Sequence, residues 1–286
     1  MTDTFIQALV SGLLIGGVFA IISVGLALAF GVMDIVNFAQ ADFLMVGMYI
    51  SYVLFSVLGL DPLLGTPLVM AIMFAFGAVT QRFLIKPILK APMVNQIFLT
   101  IGISLVLVGG SQVLFGADFR SVKTAYQTEA VVFGPIRMSL PYLYAFAMSA
   151  VLAGGLWLFL EKTDLGRMMR ATAQNSTAAQ LVGINPQRIH LIAFAVGTAL
   201  TGAAGAAILP YAYVYPTIGH NYGLIMFTVV TLGGLGSVGG AVAGGLIIGV
   251  VYSLGSALLP TVLQNGLVYV IFIGTLMFRP YGLFKR

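Results

Sequence analysis

Apolar runs of membrane-spanning length repeat along the whole chain and are separated by short polar segments. A transmembrane helix needs about 20 consecutive apolar residues. The pattern predicts spans at 5–30, 43–58, 64–85, 95–115, 140–160, 189–211, 240–259 and 262–278. Two further segments, 31–42 and 223–238, are apolar but interrupted. We therefore expect an all-α integral membrane protein, a polytopic helix bundle of about 8–10 membrane segments.

The two interrupted segments resemble each other in context. In "GVMDIVNFAQADFLMVGMY" (31–49), an apolar helix ends, polar groups follow and a new helix begins. In "TLGGLGSVGGAVAGGLIIG" (231–249), glycines separate two apolar helices. Broken helices at corresponding positions in two halves of a chain are typical of transporters with an internal repeat, whose solute site lies at the repeat interface. We expect two broken or re-entrant helices and such a repeat.

The composition excludes a water-soluble globular protein. Of 286 residues, 60% are hydrophobic and 7% are charged, whereas soluble domains carry about 25% charged residues. The apolar runs leave no room for a soluble domain, so we expect residues 1–286 to form a single transmembrane domain. The first basic residue is Arg82, so the first apolar run lacks the basic region of a secretory signal and is expected to be a retained helix.

The same counts narrow the function classes. The chain has no cysteine, which excludes disulfides and thiolate metal sites. Its basic residues lie in short loops and form no stripe that would bind nucleic acid. It has no H-E-x-x-H and no G-x-S-x-G motif, so intramembrane enzyme chemistry finds no support. We expect no catalytic, cofactor or metal site in this chain.

Lysine and arginine in short loops indicate the orientation, because they are enriched on the cytoplasmic side of a membrane protein. The predicted spans allow three groups to lie on one side: Lys86 and Lys90; Lys162, Arg167, Arg170 and Arg188; and Arg279, Lys285 and Arg286. We expect these loops and the C-terminus to be cytoplasmic and segment 116–138 to be external. The side of the N-terminus stays open, because no basic residue precedes Arg82.

One long polar stretch, residues 163–188, has the pattern of a helix, a stop and a new helix. Asp164 can cap the first helix, whose good helix formers run from Arg167 to Leu181. Gly183 suits the left-handed position just past a helix end. Asn185 can cap the next helix, with Pro186 at its first position. We expect this second helix to continue into a membrane span.

The sequence pattern alone allows two interpretations of this expected cytoplasmic loop. An exposed helix of about 15 residues is marginal in water unless something packs on it. A surface with little steric bulk would suit a groove on another protein, and the helix offers one at Ala171, Thr172, Ala178, Ala179, Leu181 and Val182. The alternative is a linker that binds lipid headgroups through Arg167 and Arg170.

The glycine-rich segment has a misleading motif. Residues 234–239 match G-x-G-x-x-G, but a dinucleotide site needs a preceding strand and an acid about 20 residues later. No Asp or Glu follows this segment, and the chain lacks a P-loop motif for ATP. Gly236, Gly240 and Gly244 are four apart, a spacing that lets helices approach closely. Gly233–Ser237 either serves this packing or opens the helix and exposes backbone groups to a solute.

The polar side chains of the first broken segment also have two interpretations. Asn37 and Gln40 fit a helix N-cap with its capping-box partner three residues on. Asp34 and Asp42 are acids in an apolar region, where a charge costs at least about 2.5–3.5 kcal/mol. Each either lines a permeation path or caps a helix at the membrane edge.

Four tyrosines, Tyr211, Tyr213, Tyr215 and Tyr222, cluster near the outer end of a predicted span. An aromatic belt at the membrane interface explains them. A docking surface for an external binding protein is the alternative.

Several of these segments together resemble the permease family of bacterial ABC importers for branched-chain amino acids. They are "VNFAQADFLMVGMYISY" (36–52), "LGRMMRATAQNSTAAQLVGINPQRIHLIAFAVGTALTGAAGA" (165–206), "LGGLGSVGGAVAGGLIIG" (232–249) and "FRPYGLFKR" (278–286). The resemblance runs from end to end and is to the smaller of the two paralogous permease subunits. It implies that Ala178, Ala179 and Gly183 belong to a coupling helix that docks on a cytoplasmic ATPase.

The resemblance also implies the assembly and the location. A paralogous permease subunit would complete the pore, two cytoplasmic ATPase subunits would bind ATP, and a periplasmic binding protein would deliver the solute. The protein would lie in the bacterial inner membrane, among its lipids. The alternative from composition alone is a self-contained channel or secondary carrier for a small solute.

The candidate site residues form two groups. The coupling group is Arg167, Arg170, Ala178, Ala179, Gly183, Asn185 and Pro186. The solute-path group is Asn37, Gln40, Asp42, Gly233, Gly234, Gly236 and Ser237. The solute is expected to be a branched-chain amino acid or another small zwitterionic or polar molecule, because the membrane segments hold no cluster of acids or arginines.

Overall fold

The computed structural model describes residues 2–134, 136–258, 260–279 and 281–284. These residues form twelve α-helices and one two-stranded hairpin. The helices are α1 (Thr2–Met33), α2 (Gln40–Leu58), α3 (Thr66–Thr80), α4 (Lys86–Ile88), α5 (Met93–Phe115), α6 (Leu140–Lys162), α7 (Asp164–Gln174), α8 (Ser176–Leu181), α9 (Pro186–Ile208), α10 (Ile218–Gly233), α11 (Val238–Leu258) and α12 (Thr261–Phe278). A π-helical turn, Gln81–Ile85, joins α3 to α4.

Seven helical segments of the described residues are long and apolar enough to cross a membrane. They are Thr4–Met33, Gln40–Leu58, Thr66–Ile88, Met93–Phe115, Leu140–Lys162, Pro186–Ile208 and Val238–Leu258. Helix α12 adds a shorter apolar stretch, Gly266–Phe278, and α10 adds 16 residues. The prediction of an all-α polytopic membrane protein is confirmed. Leu259, the last residue of one predicted span, lies outside the described residues.

The helix bundle has two ends, one at the β-hairpin and the other at helices α7 and α8. The hairpin pairs β1 (Ala130–Phe133) antiparallel with β2 (Ile136–Ser139), an element that the polar pattern of segment 116–138 did not predict. Helix α1 starts at this end, where the Gln7 side chain exchanges two hydrogen bonds with the backbone of Arg137 (2.7 and 2.8 Å). Helix α1 ends beside α7, where Val32 and Met169 line one pocket. Helix α9, which follows α8, runs in the opposite direction.

Helices α1 and α9 form the centre of the bundle. In their most apolar stretches 83% of the residues are buried, against 17% in α5 and α6. Phe43 of α2 packs edge-on against both Phe76 of α3 and Phe194 of α9. Helices α5 and α6 therefore lie at the periphery, where their apolar side chains are available to lipid or to another subunit.

Glycines set the close contact between α1 and α11. A Cβ on Gly245 would lie 2.5 Å from the Cα of Ala20, and a Cβ on Gly249 would clash with the backbone of Gly16. On the α1 side, a Cβ on Gly16 would lie 2.9 Å from the carbonyl oxygen of Gly245. Glycines four apart therefore let these two helix backbones touch.

The packing has an inverted twofold pattern. Helix α1 packs on α11 and α10, while the antiparallel α9 packs on α3 and α2. Helices α1 and α9 pack on each other, as do α2 and α10. The pattern matches α1–α3 to α9–α11, and therefore matches the break at 34–39 to the break at 209–217. The expected pairing of segments 31–49 and 231–249 is wrong, because the second of these lies between α10 and α11, one helix too late.

Candidate functional site

The first break is a non-helical segment of six residues between α1 and α2. Its side chains alternate: Asp34 and Phe38 are exposed, whereas Ile35, Asn37 and Ala39 are buried. Asp34 has a positive φ of 59°, and its N–H bonds the carbonyl of Phe30 (2.8 Å). The segment then turns at residues 38–39 into α2.

A closed hydrogen-bond network fills the buried side of this break. The Asn37 amide donates to Oε1 of Gln40 (2.9 Å). The Gln40 amide donates to the Thr201 hydroxyl (2.6 Å) and to the Gly197 carbonyl (3.4 Å), both on α9. The Thr201 hydroxyl in turn donates to the Gly197 carbonyl (3.0 Å). These bonds satisfy buried polar groups and fasten the start of α2 to the middle of α9.

The network corrects the interpretation of two predicted site residues. Asn37 accepts from the Ala39 N–H (3.1 Å), as a capping residue does, but Gln40 reaches α9 rather than back to the Asn37 backbone, so the capping box is not formed. Asn37 and Gln40 are buried and have their polar groups paired within the subunit. Their placement supports a structural role and gives no support to direct solute contact.

Asp42 lies where the two broken helices meet. It is 2% exposed, and its Oδ1 atom has no hydrogen-bond partner. A Cβ on Gly219, in the first turn of α10, would clash with this oxygen and would lie 3.0 Å from the Ala41 carbonyl. The N-termini of α2 and α10 thus converge on one carboxylate. Asp42 is central in the bundle rather than at its edge.

The second break, residues 209–217, is fastened by its backbone instead of by side chains. Arg120, in the loop after α5, and Val214 exchange two backbone hydrogen bonds (2.9 and 2.8 Å). The Arg120 guanidinium donates to the Phe115 carbonyl (2.6 Å) and lies over the ring of Tyr52 at 5.6 Å. The segment then turns into α10, whose first turn includes His220.

The glycine-rich turn between α10 and α11 is a packing turn. Gly234 and Gly236 have φ of 100° and 85°, which side-chain-bearing residues rarely adopt. Gly233 packs against the backbone of Gly240, and a Cβ on Gly236 would lie 3.0 Å from the Cα of Gly31. The Ser237 hydroxyl accepts from the Gly240 N–H (3.0 Å).

The C-terminal segment covers the same turn. Gly282 packs on Gly234, and the Leu283 N–H bonds the Leu232 carbonyl (2.8 Å). Protein therefore covers the turn at Gly234, while Gly236 lines a small cavity beside α1 and α7. The contacts support the packing interpretation of Gly233, Gly234, Gly236 and Ser237.

Helix α7 is fixed to the end of α6. Thr163, not Asp164, is its N-cap and accepts from the Gly166 N–H (3.0 Å). Asp164 instead pairs with Arg167. Arg170 donates to the Leu160 carbonyl and lies 3.5 Å from Glu161. These contacts fix Arg170 to the end of α6.

The single helix predicted from Arg167 to Leu181 is interrupted at Asn175. This residue ends α7 and caps α8 by accepting from the Ala178 N–H (2.9 Å). After α8, Gly183 has the expected left-handed conformation (φ 87°), and the Ile184 N–H closes the end on the Ala179 carbonyl (3.0 Å).

The start of α9 follows the prediction. Asn185 caps it by accepting from the N–H groups of Gln187 and Arg188 (3.0 and 3.4 Å), and Pro186 occupies the first turn. The predicted positions of Asn185 as the N-cap and of Pro186 in the first turn of α9 are confirmed.

The free face of α8 is apolar. Leu181 is 86% exposed and Val182 is 76% exposed, and Ala178 and Gly183 are exposed beside them. Ala179 is buried against the bundle, so it supports this face rather than belonging to it. Adjacent large apolar side chains exposed at a helix end are typical of a surface that another protein covers.

Comparison with known proteins agrees with these features. The chain matches the family described as "Branched-chain amino acid transport system / permease component" over residues 8–277. BraD of Pseudomonas aeruginosa, a high-affinity branched-chain amino acid transport system permease protein, is 29% identical over 99% of this chain and 96% of its own length. LivH of Escherichia coli, with the same description, is 28% identical over 99% and 96%.

An archaeal relative has a similar coverage. The probable branched-chain amino acid transport permease protein LivH of Methanocaldococcus jannaschii is 30% identical over 92% of this chain and 87% of its own length. No solved structure matches the chain significantly. The family match covers nearly the whole chain, and the chain therefore belongs to the family of permease components of branched-chain amino acid transport systems.

Proposed function

We propose that this chain forms part of the membrane pore of an ATP-driven importer for branched-chain amino acids. A paralogous permease subunit completes the pore, two cytoplasmic ATPase subunits supply the work, and a periplasmic binding protein delivers the solute. The family and the relatives support this solute class, and the sequence has no P-loop of its own. Nothing in the comparisons favours a self-contained channel or carrier.

The charge distribution supports an orientation with the α7–α8 end in the cytoplasm. That end carries an excess of basic loop residues, as cytoplasmic loops do: Lys86, Lys90, Lys162, Arg167, Arg170 and Arg188. At the hairpin end, Arg120, Lys123 and Arg137 stand beside Asp61, Asp118 and Glu129. In this orientation α1 starts outside, and the segment around Leu283 lies inside; Lys285 and Arg286 are outside the described residues.

The exposed face of α8 is the observation that best supports this function. Leu181 and Val182 are exposed to water at the cytoplasmic end of the bundle, at a cost of about 25 cal/mol per Å² of apolar surface. Docking of an ATPase subunit over Leu181, Val182, Ala178 and Gly183 removes this surface from water. The face is therefore the site at which movement of the ATPase reaches the membrane.

A continuous set of contacts leads from this face to the pore. Asn185 joins the end of α8 to α9, and α9 is bonded at Gly197 and Thr201 to Gln40 at the start of α2. Asp42, half a turn further along α2, abuts Gly219 of α10. We infer that displacement of α8 shifts both broken helices through α9. Such a path needs a demonstration of coupling, because contact alone does not establish it.

Replacement of Leu181 by glutamate tests the docking surface. A charge at the centre of the apolar face would disfavour docking, so the reconstituted importer should lose at least about tenfold of its solute-stimulated ATP hydrolysis and uptake, which corresponds to about 1.4 kcal/mol. Gln187→Glu, an exposed polar position on the first turn of α9, is the matched control and should behave like wild type. Membrane insertion and melting temperature should be unchanged in both.

Two results would overturn the proposal. The first is wild-type coupling in Leu181→Glu at equal expression. The second is full solute uptake by the purified chain without ATPase subunits, which would establish a self-contained carrier.

A further inference from the structure

A cavity of about 390 Å³ lies beside the second break, between α1, α6, α10 and α11 at the hairpin end. Six of the chain's 12 tyrosines line it: Tyr142, Tyr211, Tyr213, Tyr215, Tyr222 and Tyr252. An aromatic belt distributes such residues around the protein at the membrane interface, whereas these converge from four parts of the chain on one space. The belt therefore does not account for them.

The cavity has the size and the neutrality that a small zwitterion needs. Small-molecule sites occupy about 300–1,000 Å³, so a single amino acid fits within this one. No charged side chain is among its lining residues. A solute with a net charge would therefore lack a counter-charge there, whereas a zwitterion brings no net charge.

The first turn of α10 stands at the cavity wall, where Ile218 and Asn221 line the cavity. The Ile218 N–H is already bonded to the Tyr215 carbonyl (3.1 Å), and the Ile208 carbonyl at the end of α9 already accepts from the N–H groups of Tyr211 and Ala212 (3.1 and 3.0 Å). The polar groups that the wall offers to a solute are therefore the side chains of Asn221 and the tyrosines.

The remaining wall suits an aliphatic side chain and supplies oriented hydroxyl groups. Ile15, Phe19 and Ile225 form apolar surface in the cavity. Tyr142 and Tyr211 stack with ring centroids 4.2 Å apart. The Asn221 amide donates to the Tyr215 hydroxyl (2.6 Å), which fixes that hydroxyl as an acceptor and leaves its proton to donate elsewhere.

These hydroxyl groups act as neutral hydrogen-bonding groups. Burial, with the neighbouring Tyr222 and Tyr142, raises the pKa of Tyr211 well above its ordinary value. The phenol therefore stays protonated at physiological pH and can both donate and accept.

We propose that this cavity binds the transported amino acid on its outward-facing side, with the carboxylate and ammonium groups hydrogen-bonded to Asn221 and the tyrosine hydroxyls, and the aliphatic side chain against Ile15, Phe19 and Ile225. The inference rests on the proposed import function and assigns that function a site. Because Gly219 follows Ile218 and abuts Asp42, a bound solute contacts the helix that reaches the crossing of the two broken segments.

Photolabelling locates the solute without any substitution. The reconstituted importer, with all subunits and ATP, is irradiated in the presence of a diazirine analogue of leucine, and the labelled peptides of this chain are mapped by mass spectrometry. The proposal expects adducts on peptides containing Tyr142, residues 211–225 or Tyr252, suppressed by excess leucine. Adducts confined to residues 34–42 or 233–237 would overturn it, as would labelling that excess leucine does not suppress.

A matched pair of substitutions on α6 tests the contribution of one hydroxyl. Tyr142 lines the cavity, whereas Tyr144, two residues away, packs on Tyr126 outside it. Tyr142→Phe should raise the KM for leucine about tenfold, the effect of one lost hydrogen bond of about 1.4 kcal/mol. Tyr144→Phe should leave KM unchanged. Equal KM values in the two variants would contradict the assignment of Tyr142 to the solute.

The two proposals fail in distinguishable ways. If the wild-type complex does not couple ATP hydrolysis to leucine uptake, the import function fails, whatever the cavity binds. If the wild type imports leucine but neither the labelling nor Tyr142→Phe implicates the cavity, the import function stands and the cavity assignment fails. Uptake by Tyr142→Phe at saturating solute reports whether that variant is folded and coupled.

Discussion

The two broken segments occupy equivalent positions in the inverted repeat, yet their polar groups are satisfied differently. At 34–39, side chains close the break: Asn37 bonds Gln40, and Gln40 bonds Thr201, in a buried network. At 209–217, backbone bonds to Arg120 hold the segment from outside, and its tyrosines face a cavity. The first break is thus a sealed joint, and the second is open.

The difference teaches how one half of a repeat can be fixed while the other keeps an accessible cavity. The sealed break fastens α2 to α9, which follows α7 and α8 through Asn185. The open break leads into α10, which contacts the sealed half at Asp42 and Gly219. Under the proposed function, a movement of α8 and a solute in the cavity would both act on this contact.

Filling the sealed joint should have the largest effect. A Cβ on Gly25 would lie 2.5 Å from the Gly197 carbonyl and 3.1 Å from the Gln40 amide and would clash with the Thr201 hydroxyl. Overpacking costs about 1–3 kcal/mol and displacement of the Gln40 bond adds about 1, so we expect Gly25→Ala to lower the free energy of unfolding by about 2–4 kcal/mol. Thermal unfolding of the purified complex measures this.

The open half provides the control for that substitution. A Cβ on Gly223 of α10 would meet Ala41 Cβ at 3.4 Å, an ordinary contact. Gly223→Ala should leave the melting temperature unchanged or slightly raised, because alanine favours a helix. Equal losses of stability in both alanine variants would mean that the two breaks are packed equally tightly. That result would contradict the proposed difference between them.

The sequence predicted features that depend on near neighbours in the chain. Apolar runs located the spans, because a bilayer imposes a length of about 20 residues on any helix that crosses it. Gly183, Asn185 and Pro186 were interpreted correctly, because caps and left-handed turns act within a few residues. Asn175 was missed because several good helix formers on either side of it outweighed one residue that can cap.

Features that depend on distant contacts could not be predicted. Gln40 has a local partner in Asn37, but its decisive partners on α9 are 157 and 161 residues away. The tyrosines of segment 211–222 were noticed as a cluster, whereas Tyr142 and Tyr252 carry no local signal that relates them to it. The repeat was misaligned because glycines at 233–236 look like a broken helix, and only the packing of α1 and α9 shows which break is the counterpart.

Removal of a polar partner from the sealed joint should have the next largest effect. Gln40→Leu leaves the Asn37 amide without its acceptor and the Thr201 hydroxyl without its donor in a buried place, which costs about 1–3 kcal/mol. We expect a lower melting temperature but an unchanged KM for leucine in the folded fraction. Gln112→Leu, at an exposed position on α5, is the control and should melt like wild type. A raised KM at unchanged stability would instead place Gln40 on the solute path.

Loosening the open break should affect stability least and solute affinity most. Proline at Val214 removes the N–H that bonds the Arg120 carbonyl (2.8 Å), a loss of about 1 kcal/mol, and it frees the segment that carries Tyr211 and Tyr215. We expect Val214→Pro to lower the melting temperature slightly and to raise the KM for leucine several-fold in transport assays of the complete importer. Val214→Thr keeps the N–H and the branched shape, so its KM should stay near that of wild type. If Val214→Pro changes stability and KM no more than Val214→Thr does, the backbone pairing with Arg120 does not shape the cavity wall. That outcome would contradict the proposed difference between the sealed break and the open one.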